Sequence, residues 1–181
     1  IQITREGATD EQKARLIRGA TDLLARAIAQ GLGNTLGQPL VVDNRAGAGG
    51  TLGSAEVAKA AADGHTLLVA TSSTHAIAPH LNASLAYNAE SDFTPIAQVA
   101  TATNVLLVPK DLPVTTVKDF IAYVKARPGQ LNYATSGNGT IVHLTTEAFK
   151  AQEGVFVVHI PYRGTALALP DLVSGKVHLL F

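Results

Sequence analysis

The chain of 181 residues contains no cysteine, no methionine and no tryptophan. The absence of cysteine excludes disulfide bonds, a thiolate nucleophile and cysteine-ligated zinc or iron–sulfur centres, although it does not decide the compartment. Charged residues make up 15% of the chain, and 14 basic side chains balance 14 acidic ones. A nucleic-acid binder needs a surplus of Lys and Arg to displace counterions, so this partner class is disfavoured. No apolar run approaches the roughly 20 residues that span a bilayer.

Hydrophobic residues make up 46% of the chain, which is enough for a sizeable core. Strand-like and helix-like segments alternate. Strands are predicted at residues 1–4, 40–42, 66–70, 105–108, 131–134, 155–160 and 177–181. Helices are predicted from Thr9 onward and at residues 51–61, 117–125, 141–150 and 166–173. This order implies βαβ crossovers and mainly parallel sheets, hence an α/β fold with two lobes that cross near residues 100–109.

Two polar segments lie where strands lead into helices, the position at which parallel α/β sheets bind ligands. Small residues there leave backbone N–H groups open, and a helix N-terminus adds partial positive charge, so a neutral protein can still hold an anion. The first segment, the 71–75 run, consists of Thr71, Ser72, Ser73, Thr74 and His75. Four consecutive hydroxyl residues favour ligand contact over simple helix capping.

The second segment, the 135–140 turn, consists of Thr135, Ser136, Gly137, Asn138, Gly139 and Thr140. Ser136 is a near-miss of the G-x-S-x-G nucleophile elbow, and the acid and histidine that follow it are too close together in sequence for a hydrolase. An anion-binding turn is the better interpretation. His143 is predicted to be a hydrogen-bonded packing residue. Arg163 follows a predicted strand and is expected to form a wall of the same site, near Tyr162.

Other cofactor and metal signals are weak. The glycines of residues 46–53 resemble a dinucleotide fingerprint, but position 52 is Leu, so strand–helix packing is the favoured explanation for them. His75 and His80 lie on different faces of a helix and have no nearby carboxylate to complete a zinc site. We expect no cofactor, no metal and no catalytic residue.

From about residue 19 to residue 181 the chain resembles the Bug-type extracytoplasmic solute receptors of tripartite tricarboxylate transporters. Motifs that carry the resemblance include GATDLLARAIAQ, LGQPLVVDNRAGAGGTLG, NYATSGNGTIVHL and HIPYRGTALALPDLVSGKV. The resemblance implies a type II periplasmic-binding-protein fold whose two lobes close on a small organic carboxylate without catalysis. It also implies a periplasmic location and membrane transporter subunits as partners. The 71–75 run, the 135–140 turn, Tyr162 and Arg163 would form the cleft.

The chain departs from this family at both ends. Members usually run to about 300 residues, so part of each lobe is expected to be missing, and the exposed sheet edges and apolar faces favour self-association. The N-terminus has no basic segment followed by an apolar one, so any targeting signal is expected to have been removed. The expected domains are a tautomerase-like segment at residues 1–26, a partial first lobe at 19–104 and a partial second lobe at 105–181.

Residues 1–26 resemble the start of 4-oxalocrotonate tautomerases, which use an N-terminal proline as general base. The chain begins with Ile1 instead. This resemblance implies one helix through Gly19–Asp22, whereas the receptor resemblance makes those residues a ligand loop. The apolar stripe that includes Ile17, Leu24 and Ile28 favours the helix, which would compromise that part of the ligand site. A tautomerase-like fusion and a non-functional fragment remain the alternative hypotheses.

Overall fold

A computed structural model describes residues 15–18 and 22–181, and gives only the backbone of residues 15–18, 22 and 23. The chain divides into two compact units between Val99 and Ala100. We refer to the part up to Val99 as the first unit and to Ala100–Phe181 as the second unit. The predicted boundary between the lobes lies a few residues later, at 104–105.

The first unit contains a three-stranded parallel sheet. Its elements are β1 (Arg15–Arg18), α1 (Asp22–Leu36), β2 (Val41–Asn44), a 3-10 turn (Ala48–Gly50), α2 (Thr51–Ala58) and β3 (Thr66–Val69). The strand order is β2-β1-β3, as expected for parallel strands joined by helical crossovers. Ala25 and Ala29 of α1 pack with Leu67 of β3 in the core of this unit.

The structure contradicts the helix predicted from Thr9 onward at residues 15–18 and confirms it from Asp22. Arg15–Arg18 is the central strand of the sheet and pairs with β2 on one side and β3 on the other. Ile17 is therefore not part of a helical stripe with Leu24 and Ile28. The helix implied by the tautomerase resemblance is wrong at these four residues. The strand predicted at 1–4 and the helical prediction for Gly19–Thr21 lie outside the described residues, whereas Asp22 is helical as predicted.

The rest of the first unit is less regular. A π-helical turn (Ser73–Ile77) leads directly into the short helix α3 (Ala78–Leu81), where the sequence had indicated only a polar run. Residues 94–105 are all exposed and have no regular secondary structure.

The second unit contains α4 (Val117–Lys125), β4 (Asn132–Thr135), α5 (Ile141–Glu153), β5 (Val158–Pro161) and α6 (Thr165–Val173). Strands β4 and β5 are parallel, and Tyr133 lies opposite His159. Phe120, Val124, Leu131, Tyr133, Val157 and Leu179 form most of the main buried cluster. The helix predicted at 117–125 is confirmed with the same first and last residues. Thr116 and Asp119 form a capping box that fixes its start.

The strands predicted at 105–108 and 177–181 form only isolated bridges. Leu107 pairs with Leu180 in antiparallel orientation, and Leu179 pairs with Tyr133 in parallel orientation. Their backbone hydrogen bonds still extend the sheet beyond β4, since Ala134 donates to Leu179 at 2.9 Å and Leu107 donates to Leu180 at 2.8 Å. Apolar composition indicated two continuous strands, but only Leu107 of the first segment and Leu179 and Leu180 of the second form bridges.

Candidate functional site

The Thr74 hydroxyl is the centre of the hydrogen bonds that the structure gives for the 71–75 run. Thr74 is 3% exposed, and its Oγ1 accepts a hydrogen bond from the Thr71 amide at 3.1 Å and donates to the Thr71 carbonyl at 3.0 Å. The same oxygen lies 2.9 Å from Nδ1 of His75. Ser73 is buried as well, whereas Ser72 is exposed. Two of the four hydroxyl residues therefore shape the start of the π-helical turn, and Ser72 is the residue of the run most open to solvent.

The rings of His75, Tyr87 and Phe93 pack together in an aromatic cluster that contacts this run. His75 lies 4.7 Å from Phe93 and 5.8 Å from Tyr87, measured between ring centroids. The hydroxyl of Tyr87 donates to the Thr74 carbonyl at 2.6 Å, which ties the run to a residue far along the chain. Burial lowers the pKa of His75, so the neutral ring is favoured.

The 135–140 turn is built around two buried threonines. Thr135 is fully buried, and its Oγ1 accepts from the Gly137 amide at 3.2 Å. Thr140 is 2% exposed and is the N-cap of α5; its Oγ1 donates to the Gly137 carbonyl at 2.8 Å and accepts from the His143 amide at 3.4 Å. Gly137 and Gly139 have φ values of 135° and 72°, which side chains with a Cβ rarely adopt. Both glycines are therefore required by the backbone of the turn.

Two histidines stack beneath this turn. The rings of His143 and His159 lie 4.4 Å apart, and Tyr133 stacks on His159 at 4.7 Å. His159 Nε2 lies 2.7 Å from Thr135 Oγ1, and His143 Nδ1 accepts from the Gly139 amide at 3.2 Å. His143 is thus a hydrogen-bonded packing residue, as predicted. Burial and the neighbouring His143 lower the pKa of His159.

The stack continues into a charged pair on α5. The Tyr133 hydroxyl donates to Glu147, and Lys150 contacts the same carboxylate at 2.6 Å. Burial by itself would raise the pKa of Glu147, but the bonds from Lys150 and Tyr133 outweigh it and lower that pKa. Burial and Glu147 together raise the pKa of Tyr133. The ionised form of Glu147 is therefore favoured, and its carboxylate is bonded to both Tyr133 and Lys150.

Tyr162 and Arg163 have different surroundings. The Tyr162 amide donates to the Thr135 carbonyl at 2.9 Å, which places this residue beside the 135–140 turn. Its hydroxyl donates to Asp171 at 2.8 Å, so the side chain is engaged with α6. Arg163 is exposed. Ser136, Gly137 and Gly139 are partly exposed, and Asn138 is exposed at the tip of the turn.

The residues that sequence reasoning missed are His159, Tyr133 and Glu147. The pairing of Tyr133 with His159 in the β4–β5 register stacks their rings on one face of the sheet. The sequence offers one indication of this arrangement, because Tyr133 and His159 each lie in a short segment that is predicted as a strand. The register between those segments cannot be read from either one alone.

In each of the two segments, buried threonine hydroxyls are engaged by other groups of the protein. The threonine hydroxyls are bonded to backbone or to histidine, and the turn at α5 combines small residues with a helix N-terminus. Among residues 22–181, no group of three or more His, Asp or Glu side chains is arranged to hold a metal ion. No helix in the described part of the chain is long and apolar enough to cross a membrane.

Comparison with known proteins decides the family. The model of the tripartite tricarboxylate transporter family receptor, TctC, matches residues 24–181. The chain belongs to this family. Its members are non-catalytic solute-binding receptors, as the sequence resemblance implied.

Several relatives are similar along most of the chain. BugT of Bordetella pertussis is 41% identical over 88% of this chain, which covers 49% of BugT. The R. palustris protein Rpa4515, solved with adipate, is 40% identical with a TM-score of 0.89 over 93% of this chain and 58% of its own. MatC (Rpa3494) of Rhodopseudomonas palustris, solved with bound malate, is 35% identical with a TM-score of 0.81 over 92% of this chain and 59% of its own.

The chain spans about half the length of the curated relatives it matches. Other similar structures are those of a periplasmic transporter and of the periplasmic binding protein BugD. The described residues are therefore an α/β part of the periplasmic-binding-protein fold.

Proposed function

We propose that this chain is the solute-binding part of a receptor for a tripartite tricarboxylate-type transporter, and that it binds a small organic carboxylate in the periplasm. The observation that carries the proposal is the match to the receptor family over residues 24–181. Relatives of the same fold were solved with adipate and malate, both dicarboxylates. The transporter's membrane subunits are the proposed partners. Catalysis forms no part of the proposal.

The 135–140 turn is proposed to bind one carboxylate group of the solute. The N-terminus of α5 adds partial positive charge, and the partly exposed Ser136 and the exposed Asn138 carry donors that are not basic side chains. The 71–75 run, Tyr162 and Arg163 are proposed as further ligand residues. The closure of two lobes on the solute follows from the family resemblance and stays a prediction.

Isothermal titration calorimetry against mono-, di- and tricarboxylates tests the proposal. Size-exclusion chromatography comes first, because self-association through exposed apolar side chains would make the heats uninterpretable. We expect saturable heat with at least one dicarboxylate and a rise in the melting temperature at saturation. Absence of both across the panel would contradict the proposal.

A pair of glycine substitutions tests the turn itself. Gly139 and Gly175 have φ values of 72° and 75°, and an added Cβ at Gly175 meets no atom within 4 Å. Alanine is strained by about 1 kcal/mol or more in this region, so both G139A and G175A should be destabilised to a similar degree. Only Gly139→Ala should weaken carboxylate binding, by about tenfold, because only that change disturbs the turn. Equal affinities for the two variants would remove the turn from the binding site.

A further inference from the structure

The start of α5 has the threonine N-cap of a capping box but a histidine in the third helical position. In a capping box, a Ser or Thr N-cap is followed three residues later by Glu or Gln, which accepts a hydrogen bond from the backbone amide of the N-cap residue. Here the N-cap is Thr140, and the residue in the third position is His143. Its Nδ1 accepts at 3.2 Å from the amide of Gly139, the residue before the N-cap, so a neutral histidine bonds the turn from the position that a capping box gives to Glu or Gln.

Helix α4, in the same unit, has the box with a carboxylate. Thr116 is its N-cap, the Asp119 amide donates to the Thr116 hydroxyl at 3.1 Å, and Asp119 Oδ2 accepts from the Thr116 amide at 3.1 Å. A negative charge in the first turn is the usual choice because it interacts favourably with the helix dipole. Helix α5 has no acidic residue in its first turn. The two helices therefore differ in charge at equivalent positions.

The position of His143 is fixed by its surroundings. It stacks on His159, which in turn bonds Thr135, so the ring is held between the turn and the sheet. A nitrogen that accepts a hydrogen bond carries no proton, so an imidazole in this role is neutral with its proton on Nε2. Glu147, the carboxylate one turn further along α5, is engaged by Lys150 and Tyr133.

We propose that His143 is a specificity-determining residue of the 135–140 turn, because it places a neutral acceptor at the third position of α5 and so keeps negative charge away from the bound carboxylate. This inference rests on the proposed function. A glutamate in the same position would cap the helix well but would repel an anionic solute bound at the turn. The cap of α4 has no such constraint, since it lies on the exposed face where Asp119 meets only Thr115 and Thr116.

The decisive comparison is between H143Q and H143E. These variants have the same size and both supply the acceptor of a capping box, but they differ by one negative charge. Thermal denaturation should show that H143E is at least as stable as H143Q, because the charge favours the helix N-terminus. Calorimetry with the best dicarboxylate of the panel should show that H143E binds about tenfold or more weakly than H143Q.

Asp119→Asn in α4 is the matched control, since it changes the charge at the same helical position of another threonine-capped helix. We expect it to alter stability but not carboxylate affinity. If H143Q and H143E bind equally while the unmodified chain binds a carboxylate, His143 has only a structural role and the inference is wrong, although the proposed function stands. If the unmodified chain binds no carboxylate, the proposed function fails and the inference fails with it.

Discussion

At the residue scale, partly buried histidines are a prominent polar feature of both units. His75, His159 and His178 all have their pKa lowered, with burial as the largest cause. Each is placed next to a hydroxyl or amide group that bonds it, such as Thr74 for His75. Neutral histidines in these places let the protein bury hydrogen-bonding rings without burying charge.

The histidine environments predict how stability depends on pH. A lowered native pKa means that the unfolded chain binds more protons below about pH 6.5, so the free energy of unfolding should fall as the pH drops from about 7 to 5. His75→Phe keeps a ring against Tyr87 and Phe93 but cannot be protonated. Urea denaturation at several pH values should therefore show a smaller fall for H75F than for the unmodified chain. Identical pH slopes would mean that burial of His75 does not contribute.

At the element scale, helix starts are fixed by local chemistry, whereas strands depend on distant partners. The start and end of α4 follow directly from its capping box and its apolar periodicity. The segments at Leu107 and Leu180 are apolar as well, yet they form only isolated bridges. Apolar composition alone therefore does not distinguish a full strand from a single sheet contact.

The N-cap of α4 predicts how much the free energy of unfolding should fall when its hydroxyl is removed. Thr116→Ala removes the N-cap hydroxyl that accepts from the Asp119 amide, and loss of an N-cap costs about 1 kcal/mol. Thr115→Ala is the matched control, because the neighbouring hydroxyl makes one exposed bond to Asp119 and caps nothing. Urea denaturation should show a clearly larger loss for T116A than for T115A. Equal losses would mean that the cap does not stabilise α4.

At the scale of the whole molecule, the two units have separate cores. The first unit relies on small residues such as Ala25 and Ala29, and the second on larger ones such as Phe120 and Tyr133. Residues 94–105 lie at the division between the units and are exposed throughout. This segment is the expected point at which the chain is most open to proteases.

Limited proteolysis tests this division. Residues 94–105 contain Ile96, Val99 and Val105 but no Lys or Arg, so thermolysin can cut there and trypsin cannot. Brief thermolysin treatment should give two fragments that correspond to the two units, identified by mass spectrometry. Trypsin under the same conditions should give no cut in this segment. First cleavage by thermolysin inside α5 or the β4–β5 pair would show that the second unit opens before the junction does.

The sequence by itself determined the α/β alternation, the bounds of α4, the loop nature of residues 136–139 and the family. The first three of these features depend on residues that are close together in the sequence, through apolar periodicity, N-caps and glycines at positive φ. The family followed from motifs quoted along most of the chain and is confirmed by the match to residues 24–181.

The tertiary structure decided what local patterns left ambiguous. Ile17 fits a helical stripe as well as a strand, and pairing of residues 15–18 with β2 and β3 places it in the sheet. Likewise, the β4–β5 register stacks His159 on Tyr133 and brings its ring to Thr135. Pairing depends on partners tens of residues away, and a slip of one residue would turn each side chain to the opposite face. Such contacts are properties of the folded chain, and no short segment contains them.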